Sequence, residues 1–185
     1  MRVARVLSTI VIAATFAACQ QAAPPAKAPE AAPAPAAKAY GSLAQVMRAI
    51  PFPSSNIIFD TQTTDPGAPP KKAGEPGKAG ATSVYSNVYS GWQAVEQSAM
   101  AISETANLIM IPGRLCENGK PVPLDRDDFK KYAQGLADAG QAAYKAAQSK
   151  NLDAMVEVSG TISDACAACH MVYRDQPAPK ERCIP

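Results

Sequence analysis

Apolar residues recur every three or four positions in four places along this 185-residue chain. In "SLAQVMRAI" (42–50), Leu43, Val46, Met47 and Ile50 share one helical face, Ser42 can cap the start, and Pro51 and Pro53 stop the run. Residues 82–110 repeat the pattern with Val84, Val88, Trp92, Val95, Ala99, Ile102, Ala106 and Ile109. Residues 125–149 do so with Phe129, Tyr132, Leu136, Ala139, Ala143 and Ala146. In residues 151–174 the stripe is Met155, Val158, Ile162, Ala165 and Cys169, with Asn151 and Asp153 as start signals. None of these stretches alternates as a strand would. One short and three longer amphipathic helices predict an all-α four-helix bundle over residues 40–185.

Two stretches break the pattern. Residues 51–80 read as a long loop whose first part, 51–60, carries Ile57, Ile58 and Phe59 and should pack on the domain; its Pro/Gly/Lys-rich remainder reads as mobile. Residues 20–39 form a Pro/Ala tract with almost no large apolar side chain, which reads as a semi-rigid spacer. Before it, a basic start, "MRVAR", leads into the apolar stretch 6–18, too short to span a bilayer but suited to a signal peptide over residues 1–18. "FAAC" ends it and resembles a bacterial lipoprotein cleavage box, with Cys19 as the lipidated first residue of a 19–39 anchor and linker and Phe16 standing where leucine is usual. The alternative is an ordinary export signal cut near Ala18. Either way the chain is expected to reach the periplasm, with a membrane contact through the lipid if Cys19 is modified.

Composition narrows the function. Aromatics make up 6% of the chain, and Pro and Gly are concentrated in the irregular stretches, as in a helical domain with flexible attachments. The formal charge is +2, and without Arg2 and Arg5 of the leader 16 basic residues face 16 acidic ones. A neutral chain with no basic run argues against nucleic acid as a partner. No carboxylate pair, nucleophile–base arrangement or phosphate-cradling glycine loop stands out, so an enzyme is not expected.

Chemistry concentrates in "DACAACHMVYRD" (164–175), which holds the only histidine. Cys166, Cys169 and His170 are neighbours on a helix. C-x-x-C-H is the attachment signature of haem c, with two thioether bonds from the cysteines and the histidine on the iron. Two other chemistries use these residue types. A thioredoxin-like pair wants a strand-to-helix context rather than the interior of a helix. A structural zinc site needs a fourth ligand, Cys116 or Cys183, and would make the chain a zinc-stabilised structural lipoprotein.

The run "CAACHMVYR" at the end of a helical bundle resembles the class II c-type cytochromes, the cytochrome c-prime group. That group follows C-x-x-C-H with an aromatic residue and an arginine, matched here by Tyr173 and Arg174. The resemblance spans roughly residues 40–175 and implies one covalent haem c per chain, buried among the helices with its distal face against the first. It places Arg174 near the proximal pocket or a haem propionate; a solvated helix-end charge is the other reading. Two features depart from the family pattern: a short first helix and the long 51–80 loop.

The sixth iron position divides the functions that follow. A methionine there makes a low-spin electron carrier. An open position makes a five-coordinate protein that binds NO or CO. Met47 is the candidate ligand, because methionine-ligated relatives place theirs in the first helix; it could equally be core filling. Met171 adjoins His170 on the proximal side, and Met100, Met110 and Met155 read as packing. Cys116 and Cys183, with the other cysteines assigned, pair most simply as a disulfide in an oxidising compartment. Trp92, Tyr85 and Tyr89 read as core or haem packing. Lys71, Lys72 and Lys78 form either a docking patch for an acidic redox partner or a solvated loop. Periplasmic or membrane redox proteins are the expected partners, and a homodimer is left open.

Overall fold

The computed structural model describes residues 36–69, 89–178 and 180–183. The proposed leader, Cys19 and most of the spacer lie outside them, as do Lys71, Lys72, Lys78 and Tyr85. Among the described residues there are five α-helices: α1 (Leu43–Ala49), α2 (Pro51–Phe59), α3 (Trp92–Ile109), α4 (Asp127–Gln148) and α5 (Leu152–His170). A 3₁₀ turn, Asp60–Gln62, extends α2, and a π-helical turn, Met171–Asp175, extends α5. Among the described residues there is no strand, only an isolated bridge between Leu115 and Pro121.

The first arm of the bundle is α1 and α2 together. Ser42 caps α1 through a full capping box: its hydroxyl accepts from the Gln45 amide at 3.2 Å, and the Gln45 side chain accepts from the Ser42 amide at 2.8 Å. Helix was expected to stop at Ile50 and give way to loop; instead Pro51 stands at the start of α2. Proline lacks an amide hydrogen and has φ pre-set for a first helical turn, so it ends one helix and begins the next. The Ile50 amide still bonds Val46 (3.0 Å) and the Ser54 amide bonds Ile50 (3.2 Å), which makes the junction a kink rather than an end. The 51–60 stretch does pack on the domain, as α2: Ile57 and Ile58 are buried in the core.

Helix α3 begins at Trp92; residues 82–88 of the expected helix lie outside the described residues. Gly91 before it has φ +56°, and a Cβ there would collide with the Pro66 carbonyl oxygen. That position needs glycine on both grounds. Asn151 caps α5, its side chain accepting from the Ala154 amide at 3.0 Å, with Asp153 in the first turn, where a negative charge suits the helix dipole.

Helix α2 packs on α3 and α5, α3 on α4, and α4 on α5, which closes a four-armed bundle. Small residues set the α3–α4 distance. A Cβ on Gly140 would lie 2.6 Å from the Ser103 amide nitrogen and 2.8 Å from its Cα, so the two backbones are in direct contact. The buried Ser103 hydroxyl donates to the Ala137 carbonyl (3.3 Å) and accepts from Gln141 Nε2 (2.8 Å), so the polar group is satisfied there.

The interior divides into two apolar clusters. The larger, around Ile58, Val95, Ile102, Leu136, Met155 and Ile162, fills the middle of the bundle. The smaller gathers Ile109, Val122, Phe129, Ala133 and Tyr173 where α4 begins and α5 ends.

Gly140→Ala should lower stability by about 1–3 kcal/mol, because overpacking outweighs alanine's helix preference of about 1 kcal/mol. Gly135→Ala, with open space around its would-be Cβ, should raise stability by about 0.5–1 kcal/mol. Denaturant unfolding of both variants checks the pair.

Candidate functional site

The last turn of α5 carries Cys166, Cys169 and His170. Met155, Val158 and Ile162 bury the inner face of the helix, and that sets the rotation at which the turn arrives. Both cysteines are free and half-buried. Cys166 packs against the larger cluster and Cys169 against the smaller, so the two thiols span the seam between the two halves of the core. His170 is also half-buried.

Burial dominates the electrostatics. It raises the Cys166 thiol, and it pushes Cys169 up to about 11 with help from Cys166 and Asp128. It lowers His170, and the charge of Arg174 lowers it further. Thiols held protonated are the opposite of the activated pair of a thioredoxin-like site. A neutral imidazole keeps a lone pair available for a metal. Zinc finds no fourth ligand here, because Cys116 and Cys183 are bonded to each other. Among the described residues, no three of His, Cys, Asp and Glu gather around one metal position. Two free thiols and an imidazole at an apolar seam fit covalently attached haem: the cysteines for the vinyl groups and the histidine for the iron.

The stretch after His170 is anchored to the start of α4. The π-helical turn brings Tyr173 into the smaller cluster, edge-on to Phe129 (centroids 5.3 Å apart) and Tyr132 (6.2 Å). Its hydroxyl donates to Asp128 Oδ1 at 2.9 Å and accepts from Arg126 Nε at 3.0 Å. Arg126 also holds the Asp128 carboxylate from Nε and Nη2, at 3.0 and 2.9 Å. Arg126 holds Asp128 down to about 2. Burial, then Asp128, pushes the Tyr173 phenol up to about 12. Sequence reasoning missed Arg126 and Asp128.

A second anchor comes from the α3–α4 loop. Cys116 bonds Cys183 with a Cα–Cα distance of 6.2 Å, and the Cys183 amide donates to the Tyr173 carbonyl at 2.8 Å. Asn118 Nδ2 donates to the carbonyls of Lys180 (3.1 Å) and Arg182 (2.9 Å). The buried Arg114 donates to the carbonyls of Leu108 and Gly41, and the Leu43 amide donates to Leu115, so the same loop holds the start of α1.

The remaining candidates are placed as follows. Met47 is half-buried and packs on the smaller cluster, as does Met110. Met155 is buried in the larger cluster, and Met171 is exposed. Trp92 packs on the larger cluster, whereas Tyr89 is exposed rather than core. Arg174 is exposed and chelated by its neighbour Asp175, Nε to Oδ1 at 2.6 Å, although its charge reaches Cys166, Cys169 and His170.

An all-α bundle that carries C-x-x-C-H on its last helix has the architecture of a c-type cytochrome. The family model Cytochrome C' matches residues 122–174, a segment containing α4, α5, both free cysteines, His170 and Arg174. With the helical bundle, that match over part of the chain supports a likeness to the class II cytochromes of the cytochrome c-prime group. The family implies a covalently bound haem c, and its members are typically exported. No curated protein and no solved structure matches the chain. No described helix is long and apolar enough to cross a membrane.

Two outcomes follow for stability. Cys116→Ser with Cys183→Ser should cost about 4 kcal/mol in denaturant unfolding, the loop-entropy value for a separation of 67 residues. Tyr173 binds its proton more tightly folded than unfolded, so its contribution is complete below pH 10 and is lost as pH rises through about 12. Tyr173→Phe should therefore flatten the fall in stability across that window, measured by unfolding at stepped alkaline pH.

Proposed function

We propose that the chain is an exported monohaem electron carrier with His/Met ligation. One observation carries the haem assignment: two free thiols and a neutral imidazole share a helix turn at the seam of the core, inside the segment that matches the family. When bound, haem c supplies a one-electron couple at its iron. Cys166 and Cys169 hold it by thioether bonds, and His170 presents its nitrogen lone pair to the iron. Apolar side chains of both clusters keep water from the seam. Because the chain has one such motif, the reading is one haem per chain.

Met47 is assigned as the sixth ligand. Its support is its place on α1 and its packing on the same cluster as Cys169. An electron carrier needs no substrate pocket, which is the ground for reading the protein as a carrier rather than an enzyme, serving periplasmic or membrane redox proteins. The leader and Cys19 support a lipid-anchored location in the periplasm. The second reading is a five-coordinate protein that binds NO or CO; it is favoured by the ordinary apolar company of Met47, shared with Met110. Arg174 is read as a charge over the proximal side that leaves Asp175 if it meets a propionate.

Absorption spectra of the exported protein, oxidised and reduced, with and without CO, test the assignment. The expected result is a low-spin spectrum indifferent to CO that becomes high-spin and CO-sensitive in Met47→Ala. A wild-type protein already high-spin and shifted by CO would hand the function to gas binding. A Met47→Ala protein still low-spin would remove Met47 as ligand, and a colourless protein would overturn the haem assignment itself.

A further inference from the structure

Residues 166–175 hold the candidate haem ligands, yet among the described residues no hydrogen bond holds His170's imidazole, and Arg174 is tied to its own neighbour. Among the described residues, Tyr173 is the side chain through which this stretch hydrogen-bonds to another helix. It stands three residues after His170, within a π-helical turn, and is 5% exposed. Its partners, Arg126 and Asp128, lie at the first turn of α4 and hold each other as an ion pair. Departures from α-helical winding cluster at functional sites because they re-aim the side chains beside them. Cys169 packs on the same apolar cluster as Tyr173 and Phe129, and Tyr173 is hydrogen-bonded to Asp128, so the ion pair stands beside the thiol end of the site.

Resting on the haem assignment above, we propose that Arg126, Asp128 and Tyr173 form a positioning and charge-setting cluster for the haem. Tyr173 holds the end of α5, and with it the direction of His170, against the start of α4. Arg126 neutralises Asp128 as Arg174 neutralises Asp175, so neither carboxylate near the site adds net charge to it. These are positioning residues: none of the three would touch the iron.

The two charges give opposite signs, which a purely structural role would not. Adding an electron to the iron is disfavoured by a nearby negative charge and favoured by a positive one. Asp128→Asn leaves the Arg126 cation unpaired and should raise the reduction potential. Arg126→Gln leaves the carboxylate unpaired and should lower it. Each should change the oxidised-to-reduced ratio at a fixed applied potential several-fold. Tyr173→Phe keeps both charges and should leave the potential near wild type, while altering the electron paramagnetic resonance spectrum of the oxidised protein, which reads the orientation of axial ligands.

The experiment is spectroelectrochemical titration of the haem-loaded exported protein and the three variants, with thermal unfolding of each as the control on folding. Opposite shifts for Asp128→Asn and Arg126→Gln, with a changed resonance spectrum in Tyr173→Phe, establish the cluster. Shifts of one sign, no shift, or an unaltered resonance spectrum in Tyr173→Phe overturn it. Should Arg126→Gln fail to mature, the sign of the Asp128→Asn shift and the Tyr173→Phe spectrum decide by the same criteria. A wild-type chain without haem bands would instead be a failure of the haem assignment, seen before any variant is made.

Discussion

The bundle depends on the contact between the Gly140 and Ser103 backbones. It puts the backbones of α3 and α4 in direct contact at that point, and the alanines at 99, 139, 143 and 146 are small and buried. With that pair fixed, the large side chains of α2 and α5 have one place to go, the groove alongside, where Ile58, Met155 and Ile162 are fully enclosed. The direction in which α5 presents its last turn follows from this packing. A site made of three residues on one helix end thus inherits its orientation from two residues that touch neither thiol.

Where the chain's pattern was periodic, it was legible. α4 and α5 run almost as their apolar spacing predicts, because one stripe per helix faces one core. The kinked first arm was not: Pro51 and Pro53 read as a stop, and the same chemistry that ends α1 also starts α2. No periodic signal separates these outcomes, since burial of Ile57, Ile58 and Thr61 against α3 and α5 decides between them. The break before Trp92 was not legible either: apolar spacing runs across it, and it is the positive φ at Gly91 and the approach of Pro66 that set the start of α3.

The grouping of Cys166, Cys169 and His170 was legible because it is local: three residues at one helix end. Its surroundings were not. Tyr173 and Asp128 are 45 residues apart, and neither is unusual where it stands, an aromatic after the motif and an acid in a first helical turn. Only the fold makes them partners. Cys116 and Cys183 fell between these cases, legible by elimination once the motif had claimed the other pair.

The same four cysteines bear on how the protein is made. They allow three pairings, and one of them, Cys166 with Cys169, would consume both thiols needed for attachment. Exchange proceeds through the thiolate, and burial at the core seam keeps both of those sulfurs protonated. Cys183 follows α5 along the chain, so its bond to Cys116 closes only after α5 has been delivered. Once the bundle has folded, burial therefore slows exchange at both thiols and leaves Cys116–Cys183 as the pairing the fold favours.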